Sequence, residues 1–221
     1  MNEYINLDSL TRNTRRLEFE DGLNDLQNGL VFLVLSLLAQ LLMSTVGISL
    51  YLRVLLFNRE IASVALIACI GLIVLVIFGA RRAIGQYRKK VLWRDLGEIE
   101  PLKWQVDSRI SILAAGIWAI MFVAGFFLFA KEPMDLDRSM RIIVAAGGAA
   151  TGVVYFALGQ TLAIARYRWV GLIGGLLSVM LMLFNVGPSW LAFGLIWTGT
   201  LGVSGVLALR AALLKLREGV S

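Results

Sequence analysis

Four acidic side chains crowd one short stretch of this chain, Glu18, Glu20, Asp21 and Asp25, and Asp135 and Asp137 stand close together further along. Paired carboxylates do general acid–base work when burial or a neighbour pushes their pKa values apart. Nothing in the sequence places a substrate between Asp21 and Asp25. Asp135 or Asp137 is positioned to cap the helix that follows, and a calcium site would need more oxygen ligands and a glycine turn. Histidine is absent and Cys69 is the sole cysteine. Ser–His–Asp and Cys–His triads are therefore excluded, as are structural zinc sites of four Cys/His ligands and any intrachain disulfide. Cys69 lies in an apolar run and reads as a small buried hydrophobe. No catalytic, cofactor-binding or metal-ligating residue is assigned, and no cofactor is expected.

The elements that carry these side chains are apolar. The chain is 58% hydrophobic and 16% charged, whereas a soluble domain is usually about 45–50% apolar and about 25% charged. Six runs are long enough to span a bilayer, which takes about 20 largely apolar residues: Gly29–Leu52, Ile61–Ala80, Ile110–Ala130, Ile142–Ala163, Val170–Val186 and Ser189–Leu209. The expected fold is all-α, a polytopic membrane bundle of six transmembrane helices in three hairpins. It is preceded by an amphipathic cytoplasmic segment over 1–28 and followed by a cytoplasmic tail over 210–221. The membrane domain over 29–209 carries a basic cytoplasmic loop over 81–109.

Orientation follows from Lys and Arg in the short loops. The N-tail (Arg12, Arg15, Arg16), the loop from Arg81 to Arg109, Arg166 with Arg168, and the C-tail (Arg210, Lys215, Arg217) share one side. The other side holds only Arg53, Arg59, Lys131, Arg138 and Arg141. Both termini are thus expected in the cytoplasm. The net charge of +6 and pI of about 9.8 find their explanation in this asymmetry, and no nucleic-acid partner is expected. No short apolar segment with a small-residue cleavage site opens the chain, so the first span reads as an uncleaved anchor. Trp93, Trp104, Trp169 and Trp190 form an interfacial belt. Asn185 to Ser189 makes a tight turn that sets the last two spans as a hairpin. Ala83-Ile84-x-x-Tyr87-Arg88 follows the second span and Ala163-Ile164-x-x-Tyr167-Arg168 the fourth. Each even span thus reads as a helix running on into basic residues. Three related hairpins or convergent helix ends would both produce this pattern.

The N-tail places Leu10, Leu17, Phe19, Leu23, Leu26 and Leu30 on one helical stripe. Its acidic end argues against simple attraction to anionic lipid. It faces the basic loop instead, so Glu18, Glu20, Asp21 and Asp25 are expected to dock on that loop around Arg88, Lys89 and Lys90, against the alternatives of a solvated face or a partner site. Within the spans the polar residues are hydroxyls and amides, including Thr151, Tyr155, Ser178, Thr198, Thr200 and Ser204, which commonly bond across helices or to their own backbone. Gln40 is the large one, read as structural glue or else a pore or ligand contact. Glycines recur at steps of four: Gly148 with Gly152, Gly171 with Gly175, and Gly194 toward Gly202. Such faces let backbones approach, and the three are expected to meet in one cluster, with a homodimer seam as the alternative.

The stretch Leu17-Glu18-Phe19-Glu20-Asp21-Gly22-Leu23-x-Asp25-Leu26-x-x-Gly29, and the final hairpin with its Gly-rich span and tight turn, resemble parts of uncharacterised bacterial multi-pass integral membrane proteins. The resemblance covers about a third of the chain. It implies a bacterial cytoplasmic (inner) membrane and no activity, and it carries over no functional residue. The function expected is that of a non-catalytic membrane subunit or accessory of a transport complex, its partners the lipid bilayer and a homo-oligomer or complex partner. The alternatives are a small transporter or channel with its pathway at a helix or oligomer interface and, behind it, an intramembrane enzyme.

Overall fold

The computed structural model describes residues 19–92, 108–128, 136–184 and 188–218, and all its regular elements are helices, with no strand among the described residues. They are α1 (Leu23–Met43), α2 (Thr45–Phe57), α3 (Arg59–Tyr87), α4 (Ser108–Leu128), α5 (Leu136–Thr161), α6 (Ala165–Leu183) and α7 (Ser189–Glu218). Among the described residues, five segments are long and apolar enough to cross a membrane: Leu23–Met43, Arg59–Leu92, Arg138–Thr161, Ala165–Leu183 and Ser189–Lys215. This is a membrane-embedded helical chain. The third expected span falls on α4, whose apolar part, Arg109–Gly125, is shorter.

The first expected span, Gly29–Leu52, is not one helix. The chain leaves α1 at Ser44, which is extended at φ −70° and ψ 152°. Ser44 Oγ accepts from Gly47 N at 2.9 Å and donates to Leu41 O at 2.8 Å, serving the end of one helix and the start of the next. Such local side-chain bonds compete with helix continuation. α2 then has 13 residues, about 20 Å, too short to span. Asn58 caps α3 through Oδ1, which accepts from Glu60 N and Ile61 N. The expected loop from residue 81 is also helical at its start. α3 runs on to Tyr87 and widens into a π-turn over Arg88–Leu92.

The helix carrying the fourth span stops at Thr161. Ala163 takes φ 55°, Ile164 N bonds to Gly159 O at 3.1 Å, and Ala163 N bonds to Gln160 O at 3.3 Å. This is the paired closure of a left-handed helix cap, built on alanine. Tyr167 and Arg168 therefore open α6 and do not extend the preceding helix. Tyr87 and Arg88 do sit at the end of their helix, so the two similar motifs occupy different structural places. The expected stripe from Phe19 to Leu30 is likewise broken, because Gly22 turns the chain at φ 75° just before α1. Leu10 and Leu17, Trp93 and Trp104, Asp135 and the turn at 185–187 lie outside the described residues.

The core lies among α1, α5, α6 and α7. Trp197 is fully buried. It stacks on Phe32 at 5.4 Å and Tyr155 at 5.6 Å between ring centroids. Phe193 meets Phe32 edge-on at 5.8 Å. Glycines of α5 and α6 meet at a close backbone crossing, but the three glycine faces do not gather in one cluster. A Cβ on Gly152 would come within 2.6 Å of Gly171 O and 2.8 Å of Gly175 Cα, and Gly148 abuts Ser178. The third face turns elsewhere. Gly194 abuts Ser36 of α1, and a Cβ on Gly202 would meet nothing within 4 Å. The reason is Trp197, whose ring lies against Gly174 and fills the space between α6 and α7. By contrast, 6% of the apolar window of α3 is buried, against 44% for α5 and for α6.

Candidate functional site

The chain enters α1 through a turn that buries two carboxylates. At Gly22 the left-handed backbone and the missing side chain are both needed, since Gly205 of α7 lies against it and a Cβ on Gly205 would stand 2.8 Å from Gly22 O. Asp21 Oδ1 accepts from Leu23 N at 3.0 Å, tying down the first turn. The same carboxylate receives Arg88 from the end of α3, Nε to Oδ2 at 2.6 Å and Nη2 to Oδ1 at 2.8 Å. Two parallel bonds of this kind are the strong geometry for a guanidinium and a carboxylate. Both residues are buried.

One turn on, Asp25 is fully buried. Its Oδ1 accepts from Tyr167 Oη at 2.5 Å and its Oδ2 from Ser204 Oγ at 2.9 Å. Arg166 Nε lies 3.3 Å from Oδ2, close enough for an ion pair though without hydrogen-bond geometry. The rest of that guanidinium faces backbone: Nη1 donates to Glu20 O at 2.9 Å and Nη2 donates to Phe19 O. A second tier follows toward the aromatic core. Asn28 Nδ2 donates to Tyr155 Oη at 3.0 Å, Tyr155 and Tyr167 rings lie 5.8 Å apart, and Phe19 meets Tyr167 edge-on. Thr198 Oγ1 donates to Gly29 O at 2.9 Å. Trp197 Nε1 donates to Ser178 Oγ at 3.1 Å. Thr151 and Thr200 bond to their own helices.

Of the residues set out for the tail dock, the structure brings Asp21 and Arg88 together. It sends Asp25 to α6 and α7 instead of the loop. The Glu20 backbone oxygen is held by Arg166, Lys89 and Lys90 are exposed, and Glu18 lies outside the described residues. The partners Arg166, Tyr167, Ser204 and Asn28 were not assigned to this site from sequence. Ser204 and Tyr155 carried a signal as polar groups inside apolar runs, and Arg166 only a topological one. Gln40 is half-buried on α1, and its Oε1 is shielded with no hydrogen-bond partner among the described residues. Cys69 is half-buried on α3.

Chemically the arrangement is closed. Each carboxylate oxygen of Asp21 and Asp25 already accepts at least one hydrogen bond, and each carboxylate faces a guanidinium. No group of three or more Cys, Asp or Glu side chains among the described residues converges to hold a metal ion. What the site does is join five parts of the chain: the turn at 19–22, α1, the end of α3, the start of α6 and the second half of α7. Comparisons of the chain with protein-family models, with curated proteins and with solved structures find no match.

Proposed function

We propose that this protein is a non-catalytic, multi-pass subunit or accessory of a membrane complex, one that handles transport, and that α3 is the helix it offers to that complex. The supporting observation is the contrast between its halves. α5, α6 and α7, together with the face of α1 that carries Asp25 and Phe32, form a core whose buried polar groups bond largely to one another, while 11% of the apolar window of α1 is buried. α3 presents Ile67, Leu75 and Phe78 at 66–68% exposure, and of its residues Ala62 is buried. The chain crosses the bilayer six times, α4 included, in the inner membrane of a bacterium, with the Asp21 end of the bundle on the cytoplasmic side. The distribution of Lys and Arg supports that orientation. The protein is not an enzyme on this reading, because Asp21 and Asp25 face guanidinium groups and not a cleft. A small transporter with its pathway at a helix interface is the second reading, favoured by the unpartnered Gln40 oxygen within α1.

A photo-crosslinking residue at Phe78 or Ile67, activated in native membranes, tests the first reading. A discrete protein adduct of constant mass is expected from both positions. Adducts to lipid alone would overturn it.

A further inference from the structure

Arginines from different helices grip adjacent residues of one short turn. Arg88, in the π-turn that continues α3, bonds to the Asp21 carboxylate through Nε and Nη2. Arg166, at the start of α6, bonds to the backbone just before it, Nη1 to Glu20 O at 2.9 Å and Nη2 to Phe19 O. The turn itself has little slack. Asp21 Oδ1 also accepts from Leu23 N, Gly22 is left-handed and pressed against Gly205, and the Phe19 ring meets Tyr167 edge-on. A displacement of Asp21 therefore carries with it the carbonyls that Arg166 holds.

Arg166 has a second acceptor within reach. Its Nε lies 3.3 Å from Asp25 Oδ2, yet that buried N–H makes no hydrogen bond among the described residues. An unpaired buried donor is unfavourable. Here the bonds that the same planar, rigid group makes to the turn hold it off an available carboxylate oxygen. Asp25 is held independently by Tyr167 Oη and Ser204 Oγ, so it stays in place as a target. We propose that Arg166 is a two-position coupling between the end of α3 and the interior of the bundle. In the position seen here it clasps the Phe19 and Glu20 carbonyls. In the other, reached when Arg88 lets go of Asp21 and the turn yields, it closes on Asp25 through Nε. Discrete alternative partners give discrete states, which is what passing a shift between sites requires. The coupling is reciprocal, so loss of Arg166 loosens the end of α3 in turn. A partner that drew α3 aside, as the function proposed above would have it, would reset the Asp25 site, but the coupling itself needs no partner.

The test uses the full chain in lipid nanodiscs, with no partner present. Arginine side chains are labelled with nitrogen-15, and the Arg166 Nε–H signal is the one lost in Arg166→Gln. Arg88→Gln and Asp21→Asn should each move that signal downfield and slow its exchange with water, as a newly made hydrogen bond does. Arg88→Lys, which keeps the charge but not the paired bonds, takes their place should neither fold. The reverse direction is read by spin labels on Lys90→Cys and Arg210→Cys in a Cys69→Ser background, both sites being exposed. Arg166→Gln should broaden their distance distribution, although Arg166 belongs to neither labelled element. Ser204→Ala removes a donor to Asp25 without touching the turn, and should leave the distances as in wild type. An Arg166 Nε–H signal unmoved by the changes at Asp21 and Arg88 would overturn the proposal. So would wild-type distances in Arg166→Gln, or equal broadening in Ser204→Ala, which would mean general loosening and no coupling.

Discussion

Asp21 and Arg88, 67 positions apart in the chain, close on each other through two bonds of 2.6 and 2.8 Å, with both side chains buried. This pair fastens the end of α3 to the turn that begins α1. The apolar window of α3 is 6% buried, and this pair ties its C-terminal end to the start of α1.

Removing one partner of a buried ion pair leaves the other uncompensated, at a cost of about 3–5 kcal/mol. Asp21→Ala and Arg88→Met should therefore each lower Tm in detergent by several degrees or more. The double variant should be less destabilised than the sum of the two. Additive losses in a double-mutant cycle would show that the contact carries no coupling.

Asp25 and Arg166 should rank above the single hydroxyls around them. Asp25→Ala orphans the Tyr167 and Ser204 hydroxyls and a guanidinium. Arg166→Gln frees the carbonyl oxygens of Phe19 and Glu20 as well as the Asp25 carboxylate. Tyr167→Phe and Ser204→Ala remove one donor each, for about 1–3 kcal/mol. Denaturant or thermal unfolding should give that order. Hydroxyl variants that cost more than Asp25→Ala would place the strength of the site elsewhere.

Glycine substitutions separate contact from coincidence. Gly152→Leu and Gly171→Leu push a side chain into a backbone crossing and should sharply reduce folded yield. Gly202→Leu should be tolerated, since space is open around it. Gly22→Ala meets both a left-handed backbone and the Gly205 wall, and should be worse than alanine at any exposed glycine such as Gly71 or Gly79. Size-exclusion profiles after purification report this directly.

Trp197→Ala should be among the most damaging core changes, because it empties the space between α6 and α7 and leaves Ser178 without its indole donor. Loss of a buried tryptophan costs about 3–5 kcal/mol. Trp197→Phe should recover part of it, restoring ring stacking on Phe32 and Tyr155 but not the hydrogen bond. A Trp197→Ala protein with wild-type Tm would mean that this ring is not the centre of the core.

The sequence by itself determined the solvent and the element type: lipid is legible in long uncharged runs such as Ile61–Ala80, because a bilayer accepts only backbones that satisfy their own hydrogen bonds. It also marked the acidic cluster that holds Asp21 and Asp25, and Tyr155 and Ser204 as polar groups inside apolar runs. It left their partners undecided. An apolar run with a serine reads as one helix, yet Ser44 breaks it, because whether the hydroxyl caps a new helix or bonds within the old one depends on where the next helix is held. Ala163-Ile164-x-x-Tyr167-Arg168 reads as a helix end, yet it forms a turn and a helix start, because a left-handed alanine becomes affordable only when packing holds it there. The glycine faces show the same division. Spacing places Gly148 with Gly152, and Gly194 with Gly202, each on one side of a helix. Only the assembled bundle decides that the first face meets α6 and that Gly194 meets α1, since the intervening volume is filled by Trp197, a long-range contact that no local pattern encodes.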